Sequence, residues 1–437
     1  MKVMHGRTNE GAAPAGDRLR SASKCGLGGR NALNLLGALC LALFVTSVPS
    51  RAASTTVTSA NDSGPGTLRA AVAFANTNAE ETSITFDAAL SGQSIILTNG
   101  GIWLSNTVAI DASALTNGIL ISGNASSRIF QITAAGVVTL NSLILASGSI
   151  SNDRGGAILN SGQLMALNCL FTNNTARGGT GQTPGSSSNG GPGGGGAGMG
   201  GAVFSDGVAL LLTNCVFSGN QAVGGPGGAG NGNSGINQAG GDGGGPNRGQ
   251  GGAIGQAGGA GGYGGGGGGG AGSFNGGYAG GSGGFGGGGG GGGAHGAGYD
   301  GGVGGAGGPY GGNGGDAHWS VSGGGGGGAG LGGAVFAKTG AVTVVSCSFS
   351  NNTAANGVGG LGSYGAGNGT NGQAVGGALF SAVSLLMSNN VFSGNAASNA
   401  APNIQAPNVV TSLADSGPGT LRAALAAAGD GYVVDAT

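Results

Sequence analysis

Six aspartates are the carboxylates available for chemistry in the central part of the chain, residues 93–407. They are Asp111, Asp153, Asp206, Asp242, Asp300 and Asp316. Acid–base cleavage of a glycosidic bond needs two carboxyl groups that face one bond, and Ca²⁺ needs several oxygen ligands together. No two of the six are adjacent in sequence, and no two are separated by a single residue. We therefore predict no catalytic residue, and we interpret Asp153 and Asp206 as solvated turn residues.

A second group of reactive side chains lies in a glycine-rich stretch. Its members are Tyr299, Asp300, Asp316, His318 and Trp319, the last three within "DAHW" (316–319). This group offers two metal donors and an indole ring on which a sugar could stack. Two donors do not make a metal site, so we predict no metal and no cofactor. The simpler hypothesis, which we favour over a binding site, is an aromatic anchor that pins the glycine-rich stretch to the rest of the chain.

Three cysteines occupy one position of a repeat. Cys169, Cys215 and Cys347 each precede a phenylalanine by two residues, and Asn390 takes this place in a fourth copy. The copies are "GGAILNSGQLMALNCLFTNNTA" (155–176), "GGAVFSDGVALLLTNCVFSGNQA" (200–222), "GGAVFAKTGAVTVVSCSFSNNTA" (332–354) and "GGALFSAVSLLMSNNVFSGNAA" (376–397). Each begins G-G-A and ends F-x-x-N. An odd number of cysteines after residue 53 does not indicate a disulfide framework, so we interpret the thiols as inert core residues.

Repeats of this length, with short strands and turns, bury their apolar faces only when copies stack. Equivalent residues should then lie above one another, with cysteine and phenylalanine in the core and asparagine in ladders at turns. The predicted repeat positions are Gly155, Gly156, Cys169, Phe171, Asn174; Gly200, Gly201, Cys215, Phe217, Asn220; Gly332, Gly333, Cys347, Phe349, Asn352; and Gly376, Gly377, Asn390, Phe392, Asn395. The sequence therefore predicts an all-β solenoid.

The glycine tracts separate the repeats at 177–199, 223–331 and 355–375. Each tract leaves its repeat at the same point, so all three should emerge from one corner of the stack. We find no convincing strand in them. Glycine-rich chain has high entropy and little apolar surface, so we expect a mostly mobile segment on which the solenoid does not depend. The alternative is semi-ordered polyproline-II structure, because G-G-x triplets occur locally.

Both ends of the chain differ from the repeats. The start combines seven of the 14 basic residues with the apolar run "ALNLLGALCLALFVTSV" (32–48), which is typical of a signal peptide. After residue 53 the charges are 13 acidic and 7 basic, which argues against a nucleic-acid surface. "DSGPGTLRAA" occurs at 62–71 and again at 415–424. We expect Thr67 to cap a helix that covers the solenoid end, held by an ion-pair set of Asp62, Arg69 and Asp87 that recurs as Asp415, Arg422 and Asp435.

The G-G-A-[ILV] and F-x-x-N pair resembles the polymorphic outer-membrane protein repeat of bacterial surface proteins, and "DSGPGTLRAA" resembles modules of secreted proteins in the pectin-lyase-like superfamily. The resemblance implies a right-handed parallel β-helix, secreted or displayed at the cell surface or outer membrane as an adhesin or autotransporter passenger. Implied partners are host-cell or environmental glycans or proteins, with outer-membrane association through a C-terminal region that this sequence lacks. The alternative is a polysaccharide lyase or glycoside hydrolase of the same fold.

These observations divide the chain into six predicted segments. They are a signal peptide (1–53), an N-terminal cap module (54–92), β-helix coils (93–223), a glycine-rich insertion (224–331), further coils (332–407) and the start of a second cap module (408–437).

Overall fold

The computed structural model describes residues 53–185, 188–231, 238–296, 300–407, 416–417 and 420–427. The predicted signal peptide therefore lies outside the described residues except for Ala53, which begins the first strand. Among the described residues, no helix combines the length and apolar character needed to cross a bilayer.

The described chain is almost entirely β-structure, as predicted. Its named strands form five sheets, and every pairing within these sheets is parallel. Face A contains Ala53–Val57, Thr82–Phe86, Thr107–Asp111, Val137–Asn141, Gln163–Leu167, Ala209–Thr213, Ala341–Val345 and Leu385–Ser388. Face B contains Ser94–Ile96, Leu120–Ser122, Ile144–Ala146, Leu170–Thr172, Val216–Ser218, Ser348–Ser350 and Val391–Ser393.

The other three faces are built from shorter strands. Face C contains Ile102–Leu104, Phe130–Ile132, Ile158–Asn160, Val203–Ser205, Val335–Ala337, Leu379–Ser381 and Ile404–Gln405. Face D contains Ser149–Ser151, Thr175–Arg177, Gln221–Val223, Thr353–Ala355 and Ala396–Ala397. Face E contains Gly198–Met199, Gly330–Leu331 and Ala374–Val375. The helices are α1, Leu68–Thr77, α2, Leu421–Ala427, and a 3₁₀ turn at Ala88–Leu90.

Each repeat passes through faces C, A, B and D in that order, and after each of the first three repeats the chain returns to face C through a glycine tract and a strand of face E. A strand pairs with the equivalent strand of the next repeat, so the faces consist of stacked parallel turns. This arrangement is compatible with a parallel β-solenoid. The expectation that the glycine tracts contain no strand is wrong, because all three strands of face E fall inside them. Each strand of face E has only two residues, which is too short to show the alternation of apolar and polar residues by which a strand is predicted from sequence.

The repeat positions lie in columns. On face B the rings of Phe171, Phe217, Phe349 and Phe392 stack with centroid separations of 4.6, 4.8 and 5.0 Å. The backbone N of Cys215 lies 3.4 Å from Sγ of Cys347 although 132 residues separate them in sequence. The backbone N of Cys347 in turn donates to Oδ1 of Asn390 at 2.8 Å. Hydrogen bonds to the neighbouring thiols and burial raise the pKa of the Cys215 thiol, which keeps it neutral.

A buried asparagine ladder joins the turns where face B meets face D. Nδ2 of Asn174 donates to Oδ1 of Asn220, Nδ2 of Asn220 to Oδ1 of Asn352, and Nδ2 of Asn352 to Oδ1 of Asn395, each at 2.9 Å. The second hydrogen of Asn220 Nδ2 goes to the carbonyl O of Phe171 at 3.0 Å. Asn174, Asn220 and Asn352 are fully buried. Asn220 thus satisfies backbone groups of the preceding turn that water cannot reach, and its amide also bonds the side chain of Asn352 in the next turn.

The paired glycines of G-G-A serve two purposes. Gly155 and its equivalents Gly200, Gly332 and Gly376 have φ of 61–68°, the left-handed region that glycine adopts without strain. A Cβ on the second glycine, Gly156, would lie only 2.2 Å from the carbonyl O of Gly201 in the next turn. One glycine is thus required by backbone conformation and the other by the close approach of successive turns.

Helix α1 covers the first turn, and its predicted cap is confirmed. Oγ1 of Thr67 accepts from N of Ala70 at 3.3 Å. The helix buries its own residues Leu68, Ala71, Val72 and Ala75.

The ion-pair set predicted for this cap is only partly correct. The Arg69 guanidinium lies 2.7 Å from the Asp62 carboxylate, but Asp87 instead accepts from N of Ala89 and caps the 3₁₀ turn. Burial favours the neutral form of Asp62, but hydrogen bonds from Arg69 and from the backbone at Asn99 and Thr98 outweigh it and lower the pKa.

The described residues of the second cap sequence make the same capping contacts. Oγ1 of Thr420 donates to the carbonyl O of Gly417 at 2.8 Å, as Thr67 does to Gly64, also at 2.8 Å. Oγ1 of Thr420 also accepts from N of Ala423 at 3.2 Å and so caps α2. Asp415 and Asp435 lie outside the described residues.

Replacing Asn220 by alanine should lower the apparent free energy of unfolding by about 3 kcal/mol, because buried backbone and amide groups of two turns lose their partner. The measurement is thermal or denaturant unfolding followed by circular dichroism. Asn214→Gly is the matched control, since Asn214 has φ 52° and lies in an exposed ladder, and it should change the value by at most about 0.5 kcal/mol. Equal losses in the two variants would contradict a structural role specific to the buried ladder.

Candidate functional site

The three glycine tracts form one ordered body, which we call the glycine lattice (the described parts of 178–197, 224–329 and 356–373). Successive residues donate backbone hydrogen bonds to different neighbouring segments: Gly288 to Gly195, Gly289 to Gly312 and Gly290 to Gly281, at 2.8–2.9 Å. The next three residues return to the same three segments, through Gly291 to Pro192, Gly292 to Gly315 and Gly293 to Tyr278. This three-residue period is that of a polyproline-II helix. The expectation of a mostly mobile insertion is therefore wrong, and the polyproline-II alternative is correct.

The lattice requires glycine because its backbones touch. A Cβ on Gly288 would lie 2.1 Å from the carbonyl O of Gly326, and one on Gly290 would lie 2.0 Å from that of Gly268. Neither glycine has a positive φ, so spacing and not conformation excludes a side chain. Sequence reasoning failed here because it counted apolar side chains, whereas the buried groups of this body are peptide units hydrogen-bonded to one another.

All three tracts enter the lattice from face D and leave through face E, as the single-corner prediction requires. The strands Thr175–Arg177, Gln221–Val223 and Thr353–Ala355 lie side by side, and so do the three strands of face E. Gly330–Leu331, the last two residues of the predicted insertion 224–331, belong to face E. The lattice is thus continuous with the stacked turns.

Side chains project from the lattice at every third residue. Ala279 and Ser282 follow this spacing on one segment, and Val303 and Ala306 follow it on its neighbour, where N of Gly280 and N of Gly283 donate to the carbonyls of Val303 and Ala306 at 2.9 and 2.8 Å. On a further segment Val358 and Leu361 keep this spacing, with Leu361 69 % exposed, and Tyr364, 88 % exposed, stands at the turn that follows. The lattice therefore presents rows of small and apolar side chains to solvent.

Asparagine and aspartate side chains complete one edge of the lattice. On one segment, N of Gly304 donates to Oδ1 of Asp316 at 2.8 Å and N of Gly307 donates to Oδ1 of Asn313 at 2.9 Å. N of Gly359 and N of Gly362 donate in the same way to Asn371 and Asn368. These oxygens take the place of backbone carbonyls. Asp316, a candidate binding residue from the sequence, is thereby assigned to a structural contact.

An aromatic cluster joins the lattice to face C. Tyr263, Phe285 and Tyr310 of the lattice pack against Phe336 and Phe380 of face C, with centroid separations of 5.4–6.4 Å and edge-to-face geometry. Cations flank the cluster: Nζ of Lys338 lies 4.5 Å from the centre of the Tyr263 ring, and the Arg154 guanidinium carbon 4.7 Å from that of Phe204. The predicted aromatic anchor exists, but it uses different residues. Each lattice member is an isolated aromatic in glycine-rich sequence, Tyr263 and Phe285 between glycines and Tyr310 after Pro309, and this was the missed signal.

The predicted anchor Trp319 instead lies at the far end of the lattice, which we call the tip (273–275, 295–296, 300 and 318–320). Trp319 is 57 % exposed and its ring stacks on His318 with centroids 4.8 Å apart. The backbone N of His295 donates to the carbonyl O of Trp319 at 2.8 Å. Asp300 is exposed. The next residue, Gly301, lies against Ala317, because a Cβ added to Gly301 would be 2.4 Å from Cβ of Ala317. The structure thus brings Asp300, His318 and Trp319 near one another, while Tyr299 lies outside the described residues.

The aspartates of the stacked turns are engaged in local contacts. Asp153 pairs with Arg128 at 2.7 Å, Asp111 accepts from Nδ2 of Asn141 at 3.0 Å, and Asp206 accepts from Oγ of Ser161 at 2.9 Å. Asp242 accepts from N of Gly251 at 2.9 Å and so caps another lattice segment. Among the described residues, no group of three or more His, Cys, Asp or Glu is placed to hold a metal ion. The tip therefore remains the strongest candidate for a functional site.

Comparison with known proteins gave no match to a family model and no significantly similar curated protein or solved structure.

The lattice predicts opposite effects for two glycine substitutions. Gly288→Ala should lower the melting temperature, with an unfolding cost of about 1–3 kcal/mol, because the added methyl group meets a backbone oxygen. Gly276→Ala meets nothing within 4 Å and should be neutral or stabilising by up to about 1 kcal/mol, since it restricts the unfolded chain. Calorimetry on both variants is the check. If they behave alike, the close-packed lattice is wrong.

Deleting 224–329 and joining the ends with a short Gly-Ser turn should destabilise the protein. The deletion uncovers Phe336 and Phe380, which the lattice aromatics otherwise cover, so the expectation from sequence that the solenoid is independent of this segment no longer holds. We expect aggregation and a lower melting temperature by light scattering and circular dichroism. Adding Phe336→Ser and Phe380→Ser to the deletion should restore solubility. A deletion variant that is soluble and fully stable without these changes would argue against the interface.

Proposed function

We propose that this protein is an exported, non-catalytic bacterial protein of the cell surface or extracellular space with an adhesive or structural role, built on a right-handed parallel β-helix. The basic and apolar start of the sequence supports export. The four-copy repeat, which resembles that of bacterial surface proteins, supports the β-helix and its display. The stacked parallel faces are the architecture such a repeat needs.

The main support for an adhesive role is the exposure of large side chains on the glycine lattice, whose segments are joined by backbone hydrogen bonds. Leu361, Tyr364 and Trp319 are all more than half exposed, although aromatic and aliphatic side chains normally bury most of their surface. Leu361 projects from a segment that backbone hydrogen bonds hold in place, so that segment loses little conformational entropy when a partner binds, and Tyr364 and Trp319 stand at turns where lattice segments end. A rigid surface of this kind suits contact with another surface, whether host-cell or environmental glycans or proteins.

The proposal predicts export followed by contact with a surface. When the full chain is produced in a bacterium, external protease or an antibody against the lattice should reach it on intact cells or in the medium. The purified protein should also bind to cells or to immobilised glycans. Retention in the cytoplasm would contradict the proposal. So would robust release of reducing ends or unsaturated products from pectin or alginate, lost on Asp→Ala substitution, since this would support the polysaccharide-cleaving alternative.

A further inference from the structure

We propose that one flat surface of the glycine lattice binds ice. This surface, which we call the outer row, consists of three segments (256–262, 278–284 and 302–308), all within the described residues. The inference goes beyond the proposed function and does not depend on it, because it concerns a different ligand and a surface to which Leu361, Tyr364 and Trp319 do not belong.

The three segments of the outer row are joined side by side. N of Gly258 donates to the carbonyl O of Ala279, and N of Gly280 donates to that of Val303, each at 2.9 Å. The same pairs of segments are joined again three residues further along. The segment 278–284 is therefore the middle member of a hydrogen-bonded row.

Two inner segments (265–270 and 287–293) support the outer row and keep it flat. A zigzag of backbone hydrogen bonds at 2.7–2.9 Å alternates between outer and inner segments, from Gly268 to Gly259, Gly281 to Gly268, Gly290 to Gly281 and Gly305 to Gly290. Each inner segment thus lies between two outer ones, as in layers of close-packed rods. This packing places the three outer segments in one plane.

Every third residue of the outer row points to solvent. These residues are Ala257, Ala260, Ala279, Ser282, Val303 and Ala306, of which Ala279 is half-buried and the others are exposed. Their own N–H groups donate to no residue in the described part of the chain, so these groups bond water. The surface therefore repeats one small side chain and one water-binding N–H, and none of the six side chains is charged or aromatic.

The spacing of these groups is regular in two directions. Three residues of a polyproline-II helix span about 9.3 Å along a segment, and hydrogen-bonded chains lie about 4.8 Å apart across the row. Hexagonal ice repeats along its a axis at nearly the shorter distance, and the longer one is close to two such repeats. Water held by the N–H groups and ordered around the methyl groups is thereby placed near lattice positions of ice. Since backbone hydrogen bonds fix the segments, this order exists before ice is met.

Other ligands fit the outer row less well. Protein interfaces are enriched in aromatic residues and arginine, and neutral polysaccharides pack against aromatic rings, but the six positions hold neither. The two spacings give a surface of about 15 by 19 Å, or about 300 Å². A stable protein interface buries about 800 Å² on each partner. Ice instead offers an uncharged, flat and periodic surface.

Another surface of the lattice supplies a matched control. It is a second row of three segments joined side by side (178–184, 224–230 and 356–362). Its outward side chains range from alanine and threonine to proline, valine and leucine, so it is not uniform. Ala229 is an exposed small residue on its middle segment, as Ser282 is on the middle segment of the outer row.

The test measures thermal hysteresis, inhibition of ice recrystallisation and uptake into slowly growing ice for the purified full chain. We expect all three activities. Ser282→Tyr should abolish hysteresis and lower uptake to that of a protein that does not bind ice, because the ring stands above the plane and holds ice away. Ser282→Ala and Ala229→Tyr should retain the activity. All three variants should keep the melting temperature of the unaltered chain, since the substituted positions are exposed.

Absence of hysteresis and of uptake into ice in the unaltered chain would overturn the inference, as would equal losses in the two tyrosine variants. A dimer that Ser282→Tyr dissociates, without ice activity, would assign the outer row to a second copy of the chain and also overturn it. These assays need only the protein and water, so such failures leave the adhesive proposal standing. That proposal fails separately, through absence of export or of binding to cells and glycans.

Discussion

Lateral hydrogen bonding between backbone segments that lie close together is the interaction on which the whole molecule depends. In the stacked turns, parallel strands about 4.8 Å apart place identical residues above one another, and the phenylalanine column at 4.6–5.0 Å follows this spacing. In the lattice the same bonding continues without side chains between the segments. Where a backbone partner is lacking, an amide or carboxylate replaces it, as Asn220 does inside the turns and Asn371 at the lattice edge.

The close spacing also explains the composition. Glycine loses more conformational entropy on folding than any other residue, so 113 glycines in 437 residues carry a high cost. The lattice offsets part of this cost by satisfying backbone donors of one segment with carbonyls of two or three others. Large side chains occur where a segment or its turn faces solvent or face C, whereas small ones such as Ala271, Ala294 and Ser322 are buried between the segments. The lattice is therefore a scaffold whose large side chains lie on its outer surfaces.

The stacked turns could be predicted from sequence because the repeat fixes the register. Once Cys215 and Cys347 occupy one repeat position, stacking alone places them together, and the cap at Thr67 follows from local capping chemistry. The lattice could not be predicted by counting apolar residues, because its interior is peptide backbone. The candidate site was partly predictable: Asp300, His318 and Trp319 come near one another, whereas the chain neighbour Asp316 turns to the edge. The anchor aromatics Tyr263, Phe285 and Tyr310 were missed because each is an isolated aromatic in glycine-rich sequence.

The most direct test of this account is hydrogen–deuterium exchange of the glycine lattice in the full chain. We expect the amides of 265–270 and 286–293, which donate to backbone carbonyls of neighbouring segments, to be protected to an extent comparable with face A strands such as Gln163–Leu167. Exchange of these glycine amides at the rate of an unstructured peptide, with face A still protected, would contradict it. The glycine tracts would then be mobile loops, and neither a rigid scaffold nor a defined tip would exist.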